Sequence, residues 1–200
     1  MPANLHPCIP ASRVPSYNAS IAMNVLALIG LSLVNVAPGD FDIVPGGRIG
    51  HVKLGLDVPA LLGQPTFSDG AAGHVWSTWV GSTGNTLDIF AVIGNTAGHE
   101  VKFVRVTSHA FHTASGVKTG QTWGQIQNHY SGIRIKTYDS HQFHRKLAIM
   151  DNKTKGVSFE VTVNAANHVT NGSKCVAIWV HKKGVAFDPS TWVIYEPMRP

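Results

Sequence analysis

Val52-Lys-Leu-Gly-Leu-Asp-Val-Pro-Ala-Leu-Leu-Gly-Gln-Pro65 returns 65 positions later as Val117-Lys-Thr-Gly-Gln-Thr-Trp-Gly-Gln-Ile-Gln-Asn-His-Tyr130. Val-Lys-x-Gly recurs at that spacing, and Leu61 falls on Ile126. Each copy reads as a short extended entry, a glycine bend and a helix of about two turns, capped by Asp57 in the first copy and by Thr122 in the second. Gly63 and Pro65 close the first helix, because glycine accepts a left-handed cap and proline cannot continue the ladder.

Outward from this repeat the chain alternates turns with β-branched and aromatic runs. Val75–Val80, Leu87–Ile93 and Val101–Ser108 read as one antiparallel meander, joined by the hairpin-length turns Gly81–Asn85 and Gly94–Gly98. Ile133–Tyr138, Lys146–Met150, Val157–Val163 and Lys174–His181 read as a second. Phe90-Ala-Val92 aligns with Phe159-Glu-Val161, and Lys102-Phe-Val104 with Lys174-Cys-Val176, so the repeat extends into the strands. The expected fold class is α+β: two tandem units, about 40–113 and 114–200, each a short helix followed by a meander, with both helices on one face of a shared sheet. Leu61, Leu62, Trp123 and Ile126 are the residues expected to pack the helices down.

Several strings carry a resemblance. Gly47–Trp79, with Leu62-Gly-x-Pro65, Ser68-Asp-Gly-Ala-Ala-Gly73 and Trp76-Ser-Thr-Trp79, resembles uncharacterised exported bacterial proteins; so do Phe111–Gly120, Asp151–Glu160 and Cys175–His181. The helix-then-meander unit with a Leu-Gly-x-Pro helix end is more distantly similar to the β-lactamase-inhibitor-protein fold and to the small lipoprotein of outer-membrane assembly. That resemblance implies a protein that works by binding other proteins, in the periplasm or outside the cell; no cofactor is expected.

The N-terminal stretch fits that location. Met1–Ser20 is rich in Pro, Ser and Asn without apolar periodicity and reads as a disordered extension. Ile21–Ala37 follows as a nearly unbroken apolar run whose uncharged core is short for a bilayer span but fits the apolar region of a signal peptide. Residues 1–37 are thus expected to be an extension plus leader, and 38–200 a single domain without an integral membrane span. Cys8 precedes the run, so it is not placed for lipid attachment, and Cys175, in an apolar strand, reads as a small buried hydrophobe. The +5 charge is spread along the chain rather than gathered on one face, which argues against nucleic acid.

Catalytic patterns are missing from the sequence. Gly81-Ser-Thr-Gly84 is not a nucleophile elbow, and Gly46-Gly-x-x-Gly50 lacks a phosphate-loop lysine. Eleven histidines are the outstanding excess, including His109-Ala-Phe-His112 and His141-Gln-Phe-His144. A metal-binding and even hydrolytic protein built on these turns is the alternative function, although no carboxylate at ligand spacing supports it. The expected function is non-catalytic binding, with an envelope or extracellular protein as partner. Strand alternation places Val104, Val106, Val176, Ile178 and Val180 inward. It places Phe103, Arg105, His109, Trp179 and His181 outward, an aromatic and cationic set suited to recognition on an accessible sheet face.

Overall fold

β-branched and aromatic residues dominate the apolar runs between Phe67 and Val180, and in the computed structural model they pair into a long antiparallel sheet. The structure describes residues 40–93, 98–140 and 145–188. The leader-like run, Cys8 and the pair His141 and His144 lie outside them. The strands are β1 (Asp42–Val44), β2 (Arg48–Ile49), β3 (Val52–Lys53), β4 (Phe67–Ala71), β5 (His74–Val80), β6 (Thr86–Ile93), β7 (His99–Val106) and β8 (His112–Thr113). The one α-helix among the described residues, α1 (Trp123–Ile126), is followed by β9 (Arg134–Ser140), β10 (Arg145–Asn152), β11 (Val157–Thr162) and β12 (Cys175–Val180).

Eight strands form one antiparallel sheet in the order β4-β5-β6-β7-β12-β11-β10-β9. Two four-stranded meanders therefore meet along their last strands, with Val106 opposite Ile178, Arg105 opposite Trp179 and Val104 opposite Val180. A small sheet, β3-β2-β1-β8, contributes Ile43, Ile49 and Val52 to the core on one face of the large sheet. A second, aromatic core of Trp76, Phe90, Tyr138, Leu147, Ile149, Trp179 and Phe187 lies on the other face.

The expected α+β class with tandem helices is overturned: the fold is mostly β. Residues 57–65 make no α-helix. Pro59 opens a 3₁₀ turn over Ala60–Leu62, and Gly63 at φ +63° ends it, leaving three residues between two breakers. Only the second copy is helical. Gln125 reaches back to accept the Thr122 N–H at 2.9 Å, as in a capping box, but α1 runs only four residues before passing into a 3₁₀ turn at Gln127–His129.

The repeat itself is present in the backbone. The Gly55 N–H donates to the Val101 carbonyl and the Gly120 N–H to the Cys175 carbonyl, both at 2.8 Å, and both glycines hold positive φ. Asp57 bridges to Glu100 as Thr122 bridges to Lys174. Within the strands the sequence alignment is off. Both meanders carry a bulge, between Phe90 and Ala91 opposite β7 and between Glu160 and Val161 opposite β12. Matching the bulges pairs Phe90 with Glu160 and Phe103 with Ala177, whereas the aligned Phe90 and Phe159 belong to cores on opposite faces. A bulge inserts one residue and flips all that follow, so β12 does not alternate simply. Cys175 joins Ile178 and Val180 in the first core, and Val176 packs against the second.

Candidate functional site

The expected recognition face does not lie open. Arg105 is 1% exposed, Trp179 4% and His181 0%; Phe103 is half-buried, and His109 is exposed in the loop beyond β7. Phe103, Arg105 and Trp179 do share a face. Phe187 covers that face, with its ring 5.3 Å from Phe103, 4.8 Å from Trp179 and 5.5 Å from His181, where it stacks. A buried face of the second core, with His109 apart in a loop, thus replaces the accessible surface read from alternation.

Arg105 is instead the centre of a buried charge network. Its Nη1 donates to Asp88 Oδ2 at 2.7 Å, its Nε to Glu160 Oε2 at 2.9 Å and its Nη2 to Glu160 Oε1 at 3.3 Å. Trp179 Nε1 donates to Glu160 Oε2 at 2.9 Å, and Thr78 Oγ1 to Asp88 Oδ1 at 2.7 Å. Burial works against the Arg105 charge, but Glu160 and Asp88 outweigh it and push its pKa well above the ordinary value. Burial likewise opposes the Glu160 charge, and Arg105, Tyr138 and Trp179 reverse that to hold the carboxyl low. Every charge is paired and sealed from water, so the network specifies the junction between the meanders and offers nothing to a ligand.

Ser158, His181 and Asp151 form a second buried cluster with the residue types of a hydrolase. Ser158 Oγ donates to Asp151 Oδ1 at 2.9 Å and lies 3.1 Å from His181 Nε2. That same ring nitrogen is 3.1 Å from Asp151 Oδ1, while Nδ1 faces the Lys182 carbonyl. In a catalytic triad the carboxylate holds the nitrogen turned away from the serine. Here serine and carboxylate share one nitrogen, and all three side chains are buried. The cluster pins the C-terminal segment, since Asp151 Oδ2 accepts the Phe187 N–H at 3.1 Å.

Burial alone raises the Asp151 carboxyl; the hydrogen bonds from His181, Ser158 and Phe187 overcome it and hold the carboxyl below its ordinary value. A depressed carboxyl contributes stability above its unfolded pKa, about 3.9 for Asp, and loses it as pH falls through the folded value. Glu160 acts in the same direction. Urea midpoints should stay level from about pH 7 to 5 and fall steeply below about 4. An acid limb that is equally steep in Asp151→Asn would remove Asp151 from this account.

An accessible concavity exists elsewhere, on the first-core face of the first meander. Ile126, in the second repeat, is 0% exposed and packs with Trp123 and Tyr130 onto the sheet, where the Tyr130 and Phe159 rings lie 4.8 Å apart. Leu61, its counterpart, is 67% exposed. The 3₁₀ turn cannot fill the place of α1, and a cavity of about 490 Å³ remains between residues 58–65 and the sheet. Val75, Ser77 and Trp79 of β5 with Ile89 and Ala91 of β6 form its floor, and His99 stands at one end. Trp79 also lines a second cavity of about 310 Å³, which reaches the Gly81–Asn85 turn and Phe111. Neither cavity was singled out in the sequence. The signal for the larger one was the mismatch within the repeat, where Pro59 and Gly63 bracket the first copy and nothing brackets the second.

His109 and His112 are both exposed, and His112 Nδ1 lies 3.2 Å from the Ala110 carbonyl. Among the described residues no three His, Cys, Asp or Glu side chains are grouped to hold a metal ion. Cys175 is buried, and burial pushes its thiol far up, which fits a packing residue. Among the described residues no helix is long and apolar enough to cross a membrane.

No protein-family model and no curated protein matches the chain. Among solved structures it is similar to the crystal structure of the uncharacterized protein yfeY from Escherichia coli, at 10% identity over 55% of this chain and 81% of that one, with a TM-score of 0.33.

Proposed function

We propose that the chain is a non-catalytic binding protein that works outside the cytoplasm, and that its recognition site is the cavity between residues 58–65 and the first meander. One observation carries the reading. Two repeats place equivalent backbone hydrogen bonds at the same points, yet Ile126 is sealed in the core and Leu61 is out in solvent. Among the described residues Leu54, Val58 and Leu62 pack against the first core, but the short 3₁₀ turn leaves a preformed concave site of ligand size beside them. The buried Ser158–His181–Asp151 cluster has neither access nor triad geometry, which favours binding over catalysis. The leader-like Ile21–Ala37 run supports the location, and the partner is accordingly one met in the envelope or outside the cell.

Ser77 is half-buried on the cavity floor, where its hydroxyl lies 3.1 Å from that of Ser68. Ser77→Trp should fill the space without entering either core. Full-length protein recovered from envelope and culture medium should carry a bound species in native mass spectrometry, and Ser77→Trp should lose it. Wild type and variant giving the same spectrum would overturn the site.

A further inference from the structure

The linings of the two cavities say which chemistry they accept. Charged residues make up 14% of the chain, yet among the described residues no Asp, Glu, Lys or Arg lines either cavity. Their walls are aliphatic and aromatic at Val58, Val75, Trp79, Ile89 and Phe111, with hydroxyl and amide groups of Ser, Thr, Asn and Gln between. His99 is the one titratable side chain. A ligand charge moved from water into such walls would lose hydration without gaining a counter-ion, a penalty that selects against ions of either sign.

Trp79 is common to both cavities. It is half-buried, and its indole N–H is shielded from solvent with no acceptor among the described residues. A buried donor without a partner is costly, so an acceptor supplied by a ligand at this point would be favoured. The smaller cavity adds Ser82, Thr83 and Asn85 from an exposed turn, a polar mouth for the outer end of a ligand.

We propose that the two cavities are one site for an elongated, uncharged small molecule with an apolar body and neutral hydrogen-bonding groups, lying across Trp79. This rests on the binding reading above and names its ligand class. It also sets the occupant as a small molecule rather than the protein partner that the sequence resemblance implies, because the volumes of about 490 and 310 Å³ fall in the range of about 300–1,000 Å³ typical of small-molecule sites.

Two fluorescent probes of one skeleton test it on the full chain. N-phenyl-1-naphthylamine is neutral, and 1-anilinonaphthalene-8-sulfonate carries a permanent negative charge. The neutral probe should bind saturably at one site, about tenfold or more tighter than the sulfonate. Trp79→Ala and Ser77→Trp should each weaken it by about tenfold or more. Ser82→Arg, in an exposed turn that leaves folding alone, should narrow the gap by improving sulfonate binding. Equal affinities for the two probes, or neutral binding unchanged in both cavity variants, would overturn the ligand class. If neither probe binds while Ser77→Trp still strips the co-purifying species, the ligand class falls and the binding site stands. If neither probe binds and nothing co-purifies, both fall.

Discussion

Arg105→Met is expected to destabilise the domain by about 3–5 kcal/mol, because it strands Asp88 and Glu160 in a buried site with no cation between them. The guanidinium is 1% exposed and holds both carboxylates at hydrogen-bond distance. It sits where the two meanders join, with only three residue pairs connecting β7 to β12. Loss of the charge should therefore weaken the junction as well as the local packing. Adding Asp88→Asn and Glu160→Gln to Arg105→Met should recover part of the loss, since no uncompensated charge then remains buried. Lys146→Met, which removes an exposed partner of Asp139, should stay within about 0.5 kcal/mol. Urea denaturation of the four proteins checks the series, and an Arg105→Met midpoint equal to that of Lys146→Met would contradict it.

Ile126→Ala should cost about 2–5 kcal/mol, as expected for a fully buried aliphatic side chain whose removal leaves a void. The same change at its repeat counterpart, Leu61→Ala, should stay within about 0.5 kcal/mol. The pair converts the asymmetry between the repeats into an energy difference. Position for position the sequence treats Leu61 and Ile126 alike, and the expectation that both seat helices on the sheet gives equal losses. The structure instead has Leu61 67% exposed and Ile126 at 0%. Comparable losses at the two sites would show that residues 58–65 are packed down and that the cavity beneath them is closed.

How much of this was legible follows from what each residue's neighbours supply. Val75–Val80, Leu87–Ile93 and Val157–Val163 declare themselves as strands through β-branched and aromatic side chains, and strands form there. Phe67-Ser-Asp-Gly-Ala71 does not, because turn-forming Asp69 and Gly70 occupy its centre. It is nevertheless β4, an edge strand held by β5 on one side. The two bulges were invisible for a different reason. Val176 is apolar whichever face it meets, so nothing in the residue type marks the inserted position; the faces assigned to Cys175 and Val176 are reversed, while Ile178, Trp179 and Val180 lie where alternation places them. Pro59 and Gly63 did carry the evidence against a first helix, since three residues between them cannot hold two turns.

The charge network was legible in a way that residue spacing along the chain hides. Asp88, Arg105 and Glu160 each stand inside a strand of apolar neighbours. A lone charge in such a run is costly unless paired, so three of them in strands of one sheet predict a mutual contact. Reading Glu160 only against other carboxylates in sequence missed it. The cavity beneath residues 58–65 is less accessible to sequence reasoning still, because it is space that α1 fills in one repeat and residues 60–62 fill only in part in the other.

The central claim is that the cavity between residues 58–65 and the first meander receives the ligand. Hydrogen exchange of the full chain, with and without the species that co-purifies with it, tests that claim most directly. The account predicts slowed exchange in β5, β6 and residues 56–66 on binding, with α1 and β9 to β11 unchanged. Protection confined to α1 and the second meander, with none in β5 and β6, would contradict it.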